Sequence, residues 1–144
     1  MSKETLVAQA RAAALRAYAP YSGFSVGCAI ESVDGEIAVG ANMENACYRL
    51  GVCAEIAALT AAQAAFGLDR EKRVAVAGGR LRDAVLTGDM VVTPCGGCRQ
   101  AILEAAQLSG HDVEIISASG DGSRHEIRTI GELLPLGFGP DNLK

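Results

Sequence analysis

Cys53-Ala54-Glu55 and, about forty residues later, Pro94-Cys95-Gly96-Gly97-Cys98 are the stretches around which this chain of 144 residues is organised. From Cys53 to about Phe66 the sequence is rich in alanine and leucine and stops at Gly67, which predicts a buried helix with Cys53 at its start. Cys95 and Cys98 lie on the turn entering a second helix, which carries Ala101, Ile102 and Ala105. Helix starts leave N–H groups free and present the positive end of the dipole, both of which favour thiolates. Between the two helices run Val74-Ala75-Val76-Ala77, a short apolar strand closed by Gly78-Gly79, and Met90-Val91-Val92, a strand-like run leading into Thr93-Pro94.

Ser2 is placed to cap an opening amphipathic helix, in which Leu6, Ala10, Ala13, Ala14 and Ala17 recur at helical spacing until Pro20. Phe24, Val26, Cys28 and Ile30 then alternate with small or polar neighbours. Asp34-Gly35 signals a hairpin, and Ile37 and Val39 continue on the return strand, so the first two strands are expected to be antiparallel. Near the end, Val113, Ile115 and Ile116 form a strand, Asp121-Gly122 a turn, and Ile127 to Ile130 a last strand that is antiparallel to it. Repeats and low-complexity tracts are absent, and residues 1–144 suit a single domain.

The formal charge of -4 and the lack of any lysine or arginine cluster give no footprint for nucleic acid. Lys3 and Glu4 stand where a signal peptide needs its apolar core, and no apolar run approaches the roughly 20 residues of a membrane span, so neither export nor membrane insertion is expected. Five cysteines cannot all pair, and their spacing follows metal ligation rather than a disulfide framework. Thiolate ligands suit a reducing compartment, the cytoplasm.

Three cysteines and a nearby acid fit a catalytic Zn²⁺ site, in which three protein ligands leave the fourth position to water of lowered pKa, and a carboxylate can move that water's proton. The competing readings are a structural zinc knuckle and a Cys-x-x-Cys redox pair. The knuckle needs a fourth ligand, yet Cys28, Cys47, His111 and His125 are not spaced to supply it. A redox pair explains neither Cys53 nor Glu55. Glu55 also reads as a first-turn acid complementing the helix dipole, Phe24 as a core residue on an alternating strand, and Asn42 and Glu44 as a polar loop. Cys28 and Cys47 read as small buried hydrophobes, and both histidines as surface residues.

Further motifs carry a resemblance: Tyr21-Ser22-Gly23-Phe24-Ser25-Val26-Gly27, Asn42-Met43-Glu44-Asn45-Ala46-Cys47-Tyr48, Cys95-Gly96-Gly97-Cys98-Arg99-Gln100, and a tail of Glu132-Leu133-Leu134-Pro135 followed by Phe138-Gly139-Pro140-Asp141-Asn142-Leu143. Over nearly its whole length the chain resembles the small zinc-dependent cytidine deaminases that act on free nucleosides. The resemblance implies a three-layer α/β/α fold with a mixed five-stranded sheet whose last two strands are antiparallel. It makes Cys53, Cys95 and Cys98 the Zn²⁺ ligands and Glu55 the proton shuttle. It makes Phe24 a platform for the pyrimidine, Asn42 and Glu44 partners of the ribose hydroxyls, and the Ala54 N–H a contact to the base carbonyl. Tyr48 and Phe138 are implied to approach a neighbour's site in a homotetramer.

The implied reaction is hydrolytic deamination of cytidine and 2′-deoxycytidine to the uridines, a step of pyrimidine salvage, with a small nucleoside as the partner and no nucleic acid or membrane. The alternative of like chemistry is a deaminase of a modified pyrimidine nucleoside or an antibiotic of the blasticidin S type. From a different class, it is a non-catalytic zinc-binding or thiol-redox protein. One position departs from the family, which usually has arginine after the shuttle glutamate where this chain has Ile56. Three thiolates leave a zinc site net negative, so Arg99 and the two helix starts are the expected compensation.

Overall fold

Ser2 does cap the first helix. Its hydroxyl accepts a hydrogen bond from the Thr5 N–H at 3.1 Å, and α1 (Lys3–Ala14) follows. The helix ends three residues short of Ala17, where the N–H groups of Leu15, Arg16 and Ala17 bond back to the carbonyls of Ala12, Ala13 and Ala14 and tighten the last turn. The computed structural model describes residues 1–144. After α1 come β1 (Ser25–Ser32), β2 (Ile37–Ala41), α2 (Ala54–Ala65) and β3 (Glu71–Gly79). A small hairpin follows, β4 (Leu81–Arg82) and β5 (Val85–Leu86), then α3 (Gly96–Ser109), β6 (Glu114–Ser119), β7 (His125–Thr129) and the short α4 (Ile130–Leu133).

Five strands form one sheet in the order β2-β1-β3-β6-β7. β1 pairs antiparallel with both β2 and β3, β3 pairs parallel with β6, and β6 pairs antiparallel with β7. The expected mixed sheet with an antiparallel final pair is present. Side-chain alternation divides the core into two layers. Ala29, Ala75, Ala77, Ile116 and Ala118 face Leu6, Val7 and Ala10 of α1. On the other face Cys28, Ile30, Val74, Val76 and Ile115 pack against Ala58, Leu59 and Ala62 of α2 and Ile102, Leu103 and Ala106 of α3.

Two glycines set how closely the helices approach. A Cβ on Gly27 would lie 1.9 Å from the Ala10 carbonyl oxygen, and one on Gly40 would lie 2.3 Å from the Ala58 nitrogen. Neither position tolerates alanine without moving a helix, and the start of α2 carries the metal motif.

Three expectations are corrected. Met90-Val91-Val92 is not a sheet strand: it makes one antiparallel bridge, Val91 to Ser119, and a bond from the Val92 N–H to the Ala118 carbonyl at 3.2 Å. The last strand stops at Thr129 because Thr129 and Glu132 form a reciprocal capping box, so Ile130 starts α4 instead of ending β7. Cys47 is exposed, while Cys28 is buried as expected.

Glu71, at the start of β3, is fully buried, and neither carboxylate oxygen has a hydrogen-bond partner. Burial pushes its carboxyl up to about 8. The folded state therefore holds a proton that the unfolded chain releases near the ordinary glutamate value, and stability falls as pH rises from there through about 8. Glu71→Leu is expected to unfold at a higher temperature than the wild type at about pH 9, with a much smaller difference near pH 5. A difference independent of pH, followed by circular dichroism, would show that the carboxyl is not held neutral.

Candidate metal centre and substrate cleft

Cys53 is the N-cap of α2 and Cys95 the N-cap of α3, and neither side chain is used in a capping hydrogen bond. Cys98 lies in the first turn of α3 and is buried. The two helix starts converge on the same face of the sheet, and the three Sγ atoms all lie within 4.8 Å of one another. A tetrahedral zinc with Zn–S bonds of about 2.3 Å holds its sulfurs about 3.8 Å apart, so this donor set fits the ion with little closure.

The thiols differ in their readiness to ionise. Hydrogen bonding from the Cys98 N–H holds Cys95 below the ordinary thiol range. Burial raises Cys53, and it raises Cys98 further, where the nearby Glu55 charge adds to the effect. Cys53 and Cys98 thus need a cation to become thiolates, which a bound metal provides.

Glu55 occupies the first turn of α2 with only 5% of its surface exposed. Burial raises its carboxyl above the usual range. It lines a cleft of about 440 Å³ whose wall also includes Phe24, Asn42, Glu44, Cys53, Ala54 and Cys95. Residues from four separate stretches of sequence therefore meet in one cavity. Phe24 is exposed rather than core, and a Cβ on Gly78 would come within 3.1 Å of its ring.

Asn42, just after β2, has its amide orientation fixed by β1: its oxygen accepts from the Val26 N–H at 2.8 Å, and its nitrogen donates to the Phe24 carbonyl at 2.9 Å. One amide N–H remains free for a ligand. Glu44 accepts from the Tyr21 and Ser22 N–H groups at 3.0 and 3.1 Å and from the Ser22 hydroxyl. The Ser22 hydroxyl, first among these bonds, holds its carboxyl below the usual carboxylate range.

Two predicted residues lie elsewhere. Tyr48 is 80% exposed and lines an adjoining hollow with Tyr21, which shares Ser22 and Glu44 with the cleft. Phe138 is 59% exposed and does not line the cleft, and its carbonyl accepts from Gln100 Nε2 at 2.7 Å. Residues missed in the sequence also face the cavity: Ser22, Val26, Val92 and Thr93. The spacing of Val26 two positions after Phe24 on one strand, and of Val92-Thr93 just before Pro94-Cys95, were the available signals.

Ile56 is half-buried and packs on the core formed by α2, α3 and the sheet. The cation near the metal motif is Arg99 instead, whose Nε donates to the Pro94 carbonyl at 2.8 Å and Nη1 to the Leu133 carbonyl at 3.0 Å. It fastens the turn that carries Cys95. No helix of the chain is long and apolar enough to cross a membrane.

Residues 1–109 match the family model described as the cytidine and deoxycytidylate deaminase zinc-binding region. A cytidine deaminase of Halalkalibacterium halodurans is 37% identical over 143 residues, covering 99% of this chain and 98% of the relative. One from Mycobacterium tuberculosis is 38% identical over 136 residues, covering 91% and 85%. The crystal structure of cytidine deaminase from Burkholderia pseudomallei superposes with a TM-score of 0.81 at 36% identity over 96% of this chain and all of that one. That of the Mycobacterium tuberculosis cytidine deaminase gives 0.75 at 34% identity, over 96% and 98%. With a zinc-binding deaminase model spanning both cysteine motifs, and relatives aligned nearly end to end, the chain belongs to the cytidine and deoxycytidylate deaminase family.

Proposed function

We propose that the protein deaminates cytidine and 2′-deoxycytidine by hydrolysis, with Cys53, Cys95 and Cys98 holding one zinc ion and Glu55 carrying protons. The observation that carries this reading is a cluster of three sulfurs within 4.8 Å of one another, two of them on cysteines that line the cleft, with a buried cleft carboxyl two residues from Cys53. When bound, the zinc supplies an activated water at its open position. Replacing the amino group at C4 by oxygen moves both protons of water, one to the ring nitrogen and the second, taken from the new C4 hydroxyl, to the departing amine. Glu55 is the cleft carboxyl placed to carry both in turn, and burial, which raises its carboxyl above the usual range, favours its holding a proton between the two transfers.

Phe24 offers a flat apolar face for the base. Ala54, the first residue of α2, has one of the N–H groups that a helix start leaves free, and it is assigned to the base carbonyl. Asn42, through its free amide N–H, and Glu44 are assigned to the ribose hydroxyls. Because Glu44 is held ionised by Ser22, it repels a 5′-phosphate. Cytidine is accordingly expected to exceed cytidine 5′-monophosphate by at least about tenfold in kcat/KM, a difference of about 1.4 kcal/mol. Free cytosine should be poor as well, since it lacks the sugar that holds the base in register. Ammonia release from a panel of aminated nucleosides, nucleotides and bases tests this. Equal turnover of the monophosphate would remove Glu44 from the sugar site, and preference for a modified nucleoside would move the substrate assignment.

We read residues 1–144 as one domain, because both helix layers pack on the same sheet, and a single cooperative unfolding transition is its expected signature. We assign the protein to the cytoplasm, where its exposed thiols stay reduced, and fractionation checks this. We also assign it as a homotetramer in which Tyr48, exposed in the hollow adjoining its own cleft, and Phe138, exposed outside that cleft, complete a neighbour's. Tetramers co-assembled from Phe138→Ala and Glu55→Gln chains should regain activity at sites drawing the intact residue from each. Verified mixed tetramers without recovery would confine the site to one chain.

A further inference from the structure

Phe24 precedes β1 and Glu44 follows β2; the Asn42 amide ties the Phe24 carbonyl to the end of β2, and Ser22 fills the gap between Phe24 and the Glu44 carboxylate itself. Every polar atom of Ser22 is engaged in that gap. Its hydroxyl donates to Glu44 Oε2 and accepts from the Phe24 N–H at 3.0 Å. Its own N–H donates to Glu44 Oε1 at 3.1 Å. Its carbonyl accepts from Arg80 Nη1 at 3.2 Å. Arg80 joins β3 to β4, and its own carbonyl is held by both the N–H and the hydroxyl of Thr87, at 2.9 and 2.7 Å, which close the base of the β4–β5 hairpin. Gly23 adopts a φ of +67°, and a Cβ there would come within 2.8 Å of Arg80 Nη1. A left-handed glycine thus turns the chain so that the Ser22 hydroxyl reaches back to Phe24, and it leaves room for the guanidinium.

We propose that Ser22 is a positioning residue of the substrate cleft, locking the Phe24 ring and the Glu44 carboxylate into one register, and that Arg80 on the β4–β5 arm holds Ser22 in place. Ser22 both donates to one of these elements and accepts from the other, which alanine cannot do. The segment is exposed, so water replaces the lost bonds at little cost to folding, whereas the relative placement of the two substrate contacts is not recovered. The consequence is a loss of substrate affinity without a comparable loss of stability. This inference rests on the assignment of Phe24 to the base and Glu44 to the ribose.

The test compares zinc-loaded Ser22→Ala, Ser22→Thr and Arg80→Met with Phe24→Ala and Glu44→Gln. Ser22→Ala is expected to raise KM for cytidine about tenfold, with kcat falling less than KM rises, and to weaken binding of uridine, read by calorimetry, by a similar factor. Its Tm should stay within about 2 °C of wild type. Ser22→Thr, which keeps the hydroxyl, should recover most of the loss, and Arg80→Met, acting from outside the cleft, should raise KM by a smaller factor. In Ser22→Ala/Glu44→Gln the second change should add little to the first. Wild-type KM and uridine affinity in Ser22→Ala, when Phe24→Ala and Glu44→Gln are both impaired, would overturn the positioning role. A threonine variant as poor as alanine would assign the effect to shape and overturn it too. If Phe24→Ala and Glu44→Gln are themselves unimpaired, the contact assignment fails and takes the proposal with it.

Discussion

Glu55→Gln is expected to cut turnover by about 10²–10⁴-fold or more while the protein keeps its zinc and its fold. The amide is close in size to the carboxyl, and Glu55 is not among the three clustered sulfur ligands. The cost to α2 is small, because a first-turn charge contributes about 0.3–1 kcal/mol through the dipole. Proton transfer, by contrast, has no substitute. The other carboxylate of the cleft, Glu44, is occupied by Tyr21 and Ser22 and is held ionised below the usual range. It is therefore a poor proton donor near neutral pH, and it is committed at the sugar end. Ammonia release measured at saturating cytidine, with zinc content on the same sample, decides the point. A fully loaded variant with a tenth or more of wild-type turnover would strip Glu55 of its role.

The parts legible in the sequence are those fixed by local pattern. The alanine-rich run after Cys53, the glycine that ends it and the turn at Pro94–Cys98 specify two helix starts, and the structure places a cysteine at each. The alternation of Cys28 and Ile30, and the turns at Asp34-Gly35 and Asp121-Gly122, likewise gave the antiparallel pairs. What failed depended on context. The β4–β5 turn uses positive φ at Asp83 and Ala84, residues that carry no glycine signal, so the hairpin was not foreseen. Met90-Val91-Val92 has strand composition, but only Val91 forms a bridge, to Ser119. Thr129-x-x-Glu132 is a capping-box pattern overridden in reading by the apolar run before it. Within the site, the residue types that ligate or transfer protons were evident, whereas the Ser22 network joins residues up to 58 positions apart and exists only once the strands pair. Glu71 shows the same limit, since no local feature marks a strand-opening glutamate as buried.

Cys53→Ala, Cys95→Ala and Cys98→Ala are each expected to lose zinc and activity together, because two thiolates alone do not make the three-ligand set of a catalytic site. The three should differ in what happens to the fold, and that difference separates ligand loss from misfolding. Cys53 and Cys95 are exposed N-caps whose side chains make no capping bond, so alanine there removes no helix contact. Cys98 is 1% exposed in the first turn of α3, and its truncation leaves a small void costing on the order of 1 kcal/mol. Compared as apoproteins, Cys53→Ala and Cys95→Ala should therefore melt close to the metal-free wild type and Cys98→Ala somewhat below it. The same logic predicts the effect of a chelator. Metal that bridges the starts of α2 and α3 stabilises the folded state by mass action, so stripping it should lower the Tm of the wild type and leave all three variants unmoved. Elemental analysis paired with thermal melts reads both quantities, and one zinc per chain in any variant would exclude that cysteine as a ligand.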